Sequence, residues 1–122
     1  MSATHTGVPI TDCPVREVLD RIGDKWSVLI IVLLGRRTHR FSELHRGIEG
    51  ISQRMLTLTL RALVRDGLVN RTVYASVPPR VEYELTDLGR TLLDILTALE
   101  EWANTHRDDI RAARDRHDHA PV

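Results

Sequence analysis

Cysteine is almost missing from this chain. The single Cys13 excludes an internal disulfide framework and fits a reducing compartment. No stretch approaches the roughly 18 consecutive apolar residues that a membrane-spanning helix requires. The N-terminus, Met1-Ser2-Ala3-Thr4-His5-Thr6, has neither a basic segment nor an apolar core, so it is not expected to act as a secretory signal. Also absent are a phosphate-binding glycine-rich loop, a nucleophile elbow and any paired-carboxylate pattern. Without them the commonest sequence signs of an enzyme are gone. A cytoplasmic, non-enzymatic protein without cofactor or metal is the expectation.

Net charge is missing too, but the zero balance conceals a segregation. Residues 1–35 carry three basic and four acidic side chains, residues 36–80 nine and three, and residues 81–122 five and ten. Lys25 is the only lysine, so all nine bases of the middle block are arginines. A local basic surface is what nucleic acid requires, whatever the overall pI. The planar guanidinium suits phosphate and guanine. Codon bias in a GC-rich genome also raises arginine, so the position of these residues is more informative than their number.

At 122 residues the chain has room for one domain with one core. Residues 1–12 read as a flexible leader. Pro14 suits the first position of a helix, with Cys13 as its cap, and Val15, Val18, Leu19 and Ile22 follow at helical spacing. Gly23 ends that helix. Asp24 caps a second, which holds Trp26 and a nearly continuous apolar run from Val28 to Leu34, closed by Gly35. A short third helix, about 41–46 with Ser42 near its start, leads to a turn bracketed by Gly47 and Gly50.

Ser52 caps a fourth helix that runs to about Asp66. Met55, Leu56, Leu60, Leu63 and Val64 share one face of it, and Arg54, Thr57 and Arg61 repeat on another. Gly67 closes it. Val69, Arg71 and Val73, then Val81, Tyr83 and Leu85, alternate as half-buried strands do. Pro78-Pro79 marks the loop between them. Thr86 or Asp87 opens a last helix, where Leu88, Leu92, Ile95, Leu99 and Trp102 form a 4-3-4-3 seam. A charged tail follows from residue 108, with residues 117–122 expected to be disordered.

Helix, turn, helix and hairpin in that order outline a winged helix-turn-helix: a mainly α fold with a small β-hairpin wing, which places one helix in the DNA major groove. The core of such a module needs little more than residues 24–85. The seam of the last helix is therefore expected to be buried against a second chain, giving a homodimer joined through the terminal helices. Val15, Val18, Leu19, Leu92, Ile95, Leu99 and Trp102 are the expected interface.

Several segments resemble the HxlR-type branch of bacterial winged-helix transcriptional regulators, within the MarR-like group. They include Cys13-Pro14-Val15, Gly23-Asp24-Lys25-Trp26, Arg40-Phe41-Ser42-Glu43-Leu44, Gly50-Ile51-Ser52-Gln53-Arg54-Met55-Leu56, Leu60-Arg61-Ala62-Leu63, Asp66-Gly67-Leu68-Val69 and Val77-Pro78-Pro79-Arg80-Val81-Glu82-Tyr83. They occur in the family's order and spacing over about residues 13–105, and the domain is expected to span 13–107. The resemblance implies a DNA-binding homodimeric regulator. It places Ser52, Gln53, Arg54 and Thr57 where the recognition helix meets double-stranded DNA, with Arg61 on the same stripe and Arg71 and Arg80 on the wing. Arg54 can donate two bonds to guanine and Gln53 can pair with adenine. Ser52 leaves free amides near a phosphate, and wing arginines can neutralise backbone charge or enter the minor groove. In some family members the cysteine matching Cys13 senses oxidants or electrophiles, which implies a small-molecule or oxidant effector. At a helix start the positive end of the dipole favours a thiolate. A small buried cysteine is the alternative, and no second cysteine is present to complete a bridge within one chain.

Two other classes compete. For an enzyme the candidates would be the histidines and Cys13, but His39 and His45 lack metal-ligand spacing, and His117-Asp118-His119 falls in the charged tail. The other competitor is a winged helix that binds protein or RNA, since fold does not dictate function. A salt-sensitive shift of duplex DNA separates these from a regulator.

Overall fold

The computed structural model describes residues 14–121. Their order is α1 (Pro14–Ile22), α2 (Lys25–Arg36), β1 (His39–Arg40), α3 (Phe41–Gly47), α4 (Gln53–Arg65), β2 (Val69–Tyr74), β3 (Arg80–Leu85) and α5 (Asp87–Asp118). The expected leader and Cys13 lie outside the described residues.

The helix starts follow their caps. The Asp24 carboxylate accepts the Trp26 amide at 2.9 Å, the Ser52 hydroxyl accepts that of Met55 at 3.0 Å, and the Thr86 hydroxyl accepts that of Gly89 at 3.0 Å. Each satisfies an amide that the first helical turn leaves unpaired. The third helix begins at Phe41 without help from Ser42; Glu43 instead reaches back to accept the Arg40 amide at 2.8 Å. The end of α4 is a Schellman turn: Leu68 N–H bonds the Leu63 carbonyl and Gly67 N–H that of Val64, both at 3.0 Å. That closure needs the left-handed φ of +78° at Gly67.

Gly35 does not terminate the second helix, which continues to Arg36. Its role is proximity. A Cβ at Gly35 would lie 2.5 Å from Leu93 Cδ2 on α5, so the missing side chain lets the two helices approach.

The core is built from α2, α3, α4 and the sheet, around Ile30, Ile31, Leu34, Leu44, Leu56 and Leu60. Burying a side chain of this size contributes about 1.5–3 kcal/mol. Trp26 packs partly buried against this core, as its position suggests. The sheet is antiparallel with order β1-β3-β2; His39 sits opposite Tyr83, and Val69 opposite Leu85. Strand β1 has no signal in the sequence, because two residues are too few for an alternation.

The two wing strands differ: β3 is half-buried as its alternation suggests, with Tyr83 and Leu85 buried and Val81 packed against the core, but β2 is not. In β2 only Val69 is buried, while Val73 and Tyr74 are exposed. β3 lies on the core, while β2 beyond Val69 is exposed. The last helix runs 32 residues, well beyond residue 107, so most of the charged segment from 108 onward is helical. Its inner face buries Gly89 and Leu96 against the body, and Leu92 and Leu93 pack partly on the core. Leu92 is thus shared between the expected seam and its own domain. Val15, Val18, Leu19, Ile95, Leu99 and Trp102 remain exposed.

Candidate nucleic-acid interface

The core-facing residues of α4, Leu56, Thr59, Leu60 and Leu63, fix which side of the helix faces outward. On the outward side Gln53 and Arg54 are exposed in the first turn, Thr57 is half-buried, and Arg61 and Arg65 are exposed beyond it. The Thr57 hydroxyl donates to the Gln53 carbonyl at 2.9 Å, which leaves its lone pairs free for a further donor. Met55 and Leu58 are also partly open, at 37% and 46%, so α4 presents apolar as well as polar contacts near its start. These can meet a thymine methyl.

Between α4 and the wing lies a groove of about 490 Å³, floored by Phe41, Leu60 and Tyr83 and edged by Arg61, Arg65 and Arg71. No acidic side chain lines it. Among the described residues none of these three arginines has an ion-pair partner. The groove is therefore an anion-attracting surface beside α4. Arg65 is the member that sequence reading missed. Its signal was available: it extends the Arg54-Thr57-Arg61 spacing by one further turn.

Glu43 and Glu82 each have an arginine partner. Glu43 lies 3.3 Å from Arg37. Its pKa is held below the ordinary glutamate value, first by the hydrogen bond from the Arg40 backbone and then, against some desolvation, by the charge of Arg37. Arg80 behaves differently from Arg71. Its Nε lies 3.0 Å from Glu82 Oε2 as an ion contact rather than an aligned hydrogen bond. The guanidinium also lies over the Tyr74 ring, 4.3 Å from the centroid. Arg80 is held on the protein, beside the wing loop. Among the described residues the histidines do not converge. His39 is buried with Nδ1 2.8 Å from the Arg37 carbonyl, and His119 bonds its own helix.

A model of the HxlR-like helix-turn-helix family matches residues 21–111. The chain belongs to that family. The HTH-type transcriptional regulator YtfH of Escherichia coli K12 is 47% identical over 103 residues, 84% of this chain and 82% of that protein. Among solved structures, the transcriptional regulator ytfH from Salmonella typhimurium shares 45% identity with a TM-score of 0.75, covering 87% of this chain and 95% of that one. The redox regulator HypR in its reduced form shares 45% identity with a TM-score of 0.77, covering 82% and 99%. This HxlR-like chain is a helix-turn-helix transcriptional regulator with a winged-helix fold. Its relatives are regulators rather than enzymes, and no helix among the described residues is long and apolar enough to cross a membrane.

Proposed function

We propose that this regulator binds an inverted-repeat operator in double-stranded DNA as a homodimer, with α4 in the major groove and the wing on the flanking backbone. The observation that carries it is the exposed arginine face of α4, continuous with an acid-free groove that reaches Arg71 on the wing. Gln53 and Arg54 read base edges, Ser52 and Thr57 sit at the helix start, and Arg61, Arg65 and Arg71 take phosphates. The dimer buries Val15, Val18 and Leu19 with Ile95, Leu99 and Trp102, which a single chain leaves exposed. A symmetric dimer sets its recognition helices about 34 Å apart, matching half-sites one helical turn apart. The test is a mobility shift on duplex DNA from upstream of the gene itself. Binding should weaken steeply with salt; salt-insensitive binding, or none, contradicts it. A module for RNA or protein would leave that duplex unshifted.

A response to oxidants or electrophiles is the finer proposal, supported by the similarity to a redox regulator and resting on Cys13. A single cysteine restricts the chemistry to alkylation, a mixed disulfide, or a bridge between the Cys13 residues of two chains. Diamide, the oxidant that would supply the disulfide, should release wild-type protein from DNA and leave Cys13→Ser bound. If both proteins respond alike, or neither does, the signal does not enter through Cys13.

A further inference from the structure

α1 is attached to the rest of the described chain at few points. Every side chain from Pro14 to Asp20 is exposed, and the helix closes at Gly23, whose amide donates back to the Leu19 carbonyl at 2.6 Å. One polar side chain reaches outward. Arg21, in the last turn, donates from Nε to Oδ2 of Asp66 at 2.5 Å, across 45 residues of sequence. Among the described residues this is the one ion pair or side-chain hydrogen bond between α1 and another element. Asp66 is the C-cap of α4. A carboxylate there meets the negative end of the helix dipole, an unfavourable place unless a cation compensates. Arg21 compensates from the C-terminal turn of α1, where a cation is itself favoured. The pair borders a cleft of about 850 Å³ between α1 and the start of α5.

We propose that Arg21 and Asp66 form a strut that sets the angle between α1 and the winged-helix body, and hence the separation of the two recognition helices. They are positioning residues, acting through α4 without touching DNA. This rests on the dimeric reading above. Leu56, Leu60 and Leu63 anchor α4 in the core, so the recognition helix cannot tilt alone. What can change is the angle of α1, a dimerising helix, to the whole body. At 1.5 Å per residue α4 is about 20 Å long, so a rotation of about 5° at its Asp66 end moves its Ser52 end by about 2 Å. That is enough to break a hydrogen bond to a base.

The test is a double-mutant cycle of Arg21→Ala, Asp66→Ala and the double variant. Wild-type protein first selects its inverted repeat from random duplex DNA. Binding is then measured to fluorescein-labelled copies of that duplex with native and with lengthened spacing, and sedimentation gives the assembly state of each protein. Wild type should prefer native spacing. Each dimeric single variant should lose about threefold of that preference, the scale of a partly exposed ion pair, and the double variant no more than the worse single one. A purely structural role would weaken binding to both duplexes alike and leave the preference unmoved. Dimeric single variants with the wild-type preference, losses that add in the double variant, or a dimeric wild type with no preference to lose each overturn the strut. A monomeric wild type overturns the dimeric reading, and the strut with it.

Discussion

The body from Asp24 to Leu85 and the helices on either side of it carry the same kind of amphipathic pattern and resolve it in opposite ways. In the body the apolar stripes meet one another: Ile30, Ile31, Leu44, Leu56 and Leu63 are at 0% exposure. In the flanking helices they do so only in part, through Leu92, Leu93 and Leu96 of α5. Val15 is 62% exposed, Ile95 63%, Leu99 57% and Trp102 55%. Charge divides along the same line, with the basic excess in residues 36–80 and the acidic excess after them. Periodicity tells which face of a helix seeks cover; it does not tell what provides the cover. Leu96 of α5 completes the core, with Leu92 and Leu93 packed against it, but the outer apolar faces of α1 and α5 stay exposed and are available to assembly. An exposed apolar face of this extent is unusual on a monomer that works alone.

The largest expected effect breaks that contrast at its outer side. Leu99→Asp should abolish the dimer at micromolar concentration, because a charge in a buried seam costs several kcal/mol and symmetry places it there twice. The fold should survive, since a single chain leaves Leu99 open; sedimentation together with circular dichroism checks both halves. Leu60→Ala is the matching break inside the body. It should reduce unfolding free energy by about 2–5 kcal/mol, measured by denaturant titration. Arg54→Ala should leave fold and dimer intact and weaken operator binding by about 1–3 kcal/mol, with relaxed preference at one base position per half-site. Equal loss on every sequence would make Arg54 a phosphate contact instead. Arg80→Ala should have the smallest effect. Its charge is already met by Glu82 and it lies over Tyr74, so the slope of log affinity against log salt should change by clearly less than the roughly 0.9 expected for one phosphate. Arg71→Ala, which removes an unpaired arginine, should change it by about that amount. Equal slopes for the two variants would show that Arg80 leaves Glu82 when DNA binds.

Features set by local chemistry were legible in the sequence. Asp24 and Ser52 cap the helices that follow them, Gly67 closes α4, and Thr86 is the cap where the sequence left Thr86 or Asp87 open, because these signals act within a few residues. Features that depend on a distant partner were not. Gly35 has the composition of a helix end, but Leu93 on α5 defines its role. Strand β1 exists only through its pairing with β3. Alternation suggested two half-buried strands; β3 is one, yet β2 beyond Val69 lies outside the core and leaves Val73 open. In α5 the 4-3-4-3 seam was evident, while the inner face with Gly89, Leu93 and Leu96 becomes evident only once α2 lies beside it. The same limit applied to the interface. Spacing placed Arg54, Thr57 and Arg61 on one stripe, but the Glu82 and Tyr74 contacts of Arg80 and the groove shared by Arg65 and Arg71 require the folded chain.

Two copies of this chain, joined through α1 and α5, are expected to read two half-sites at once. Sedimentation of a labelled duplex carrying the selected inverted repeat tests it most directly, in parallel with a duplex carrying a single half-site. Two chains should occupy the full repeat with no singly occupied species, and binding to the half-site at the same salt should be much weaker. One chain per duplex, or equal affinity for the half-site and the full repeat, would contradict it.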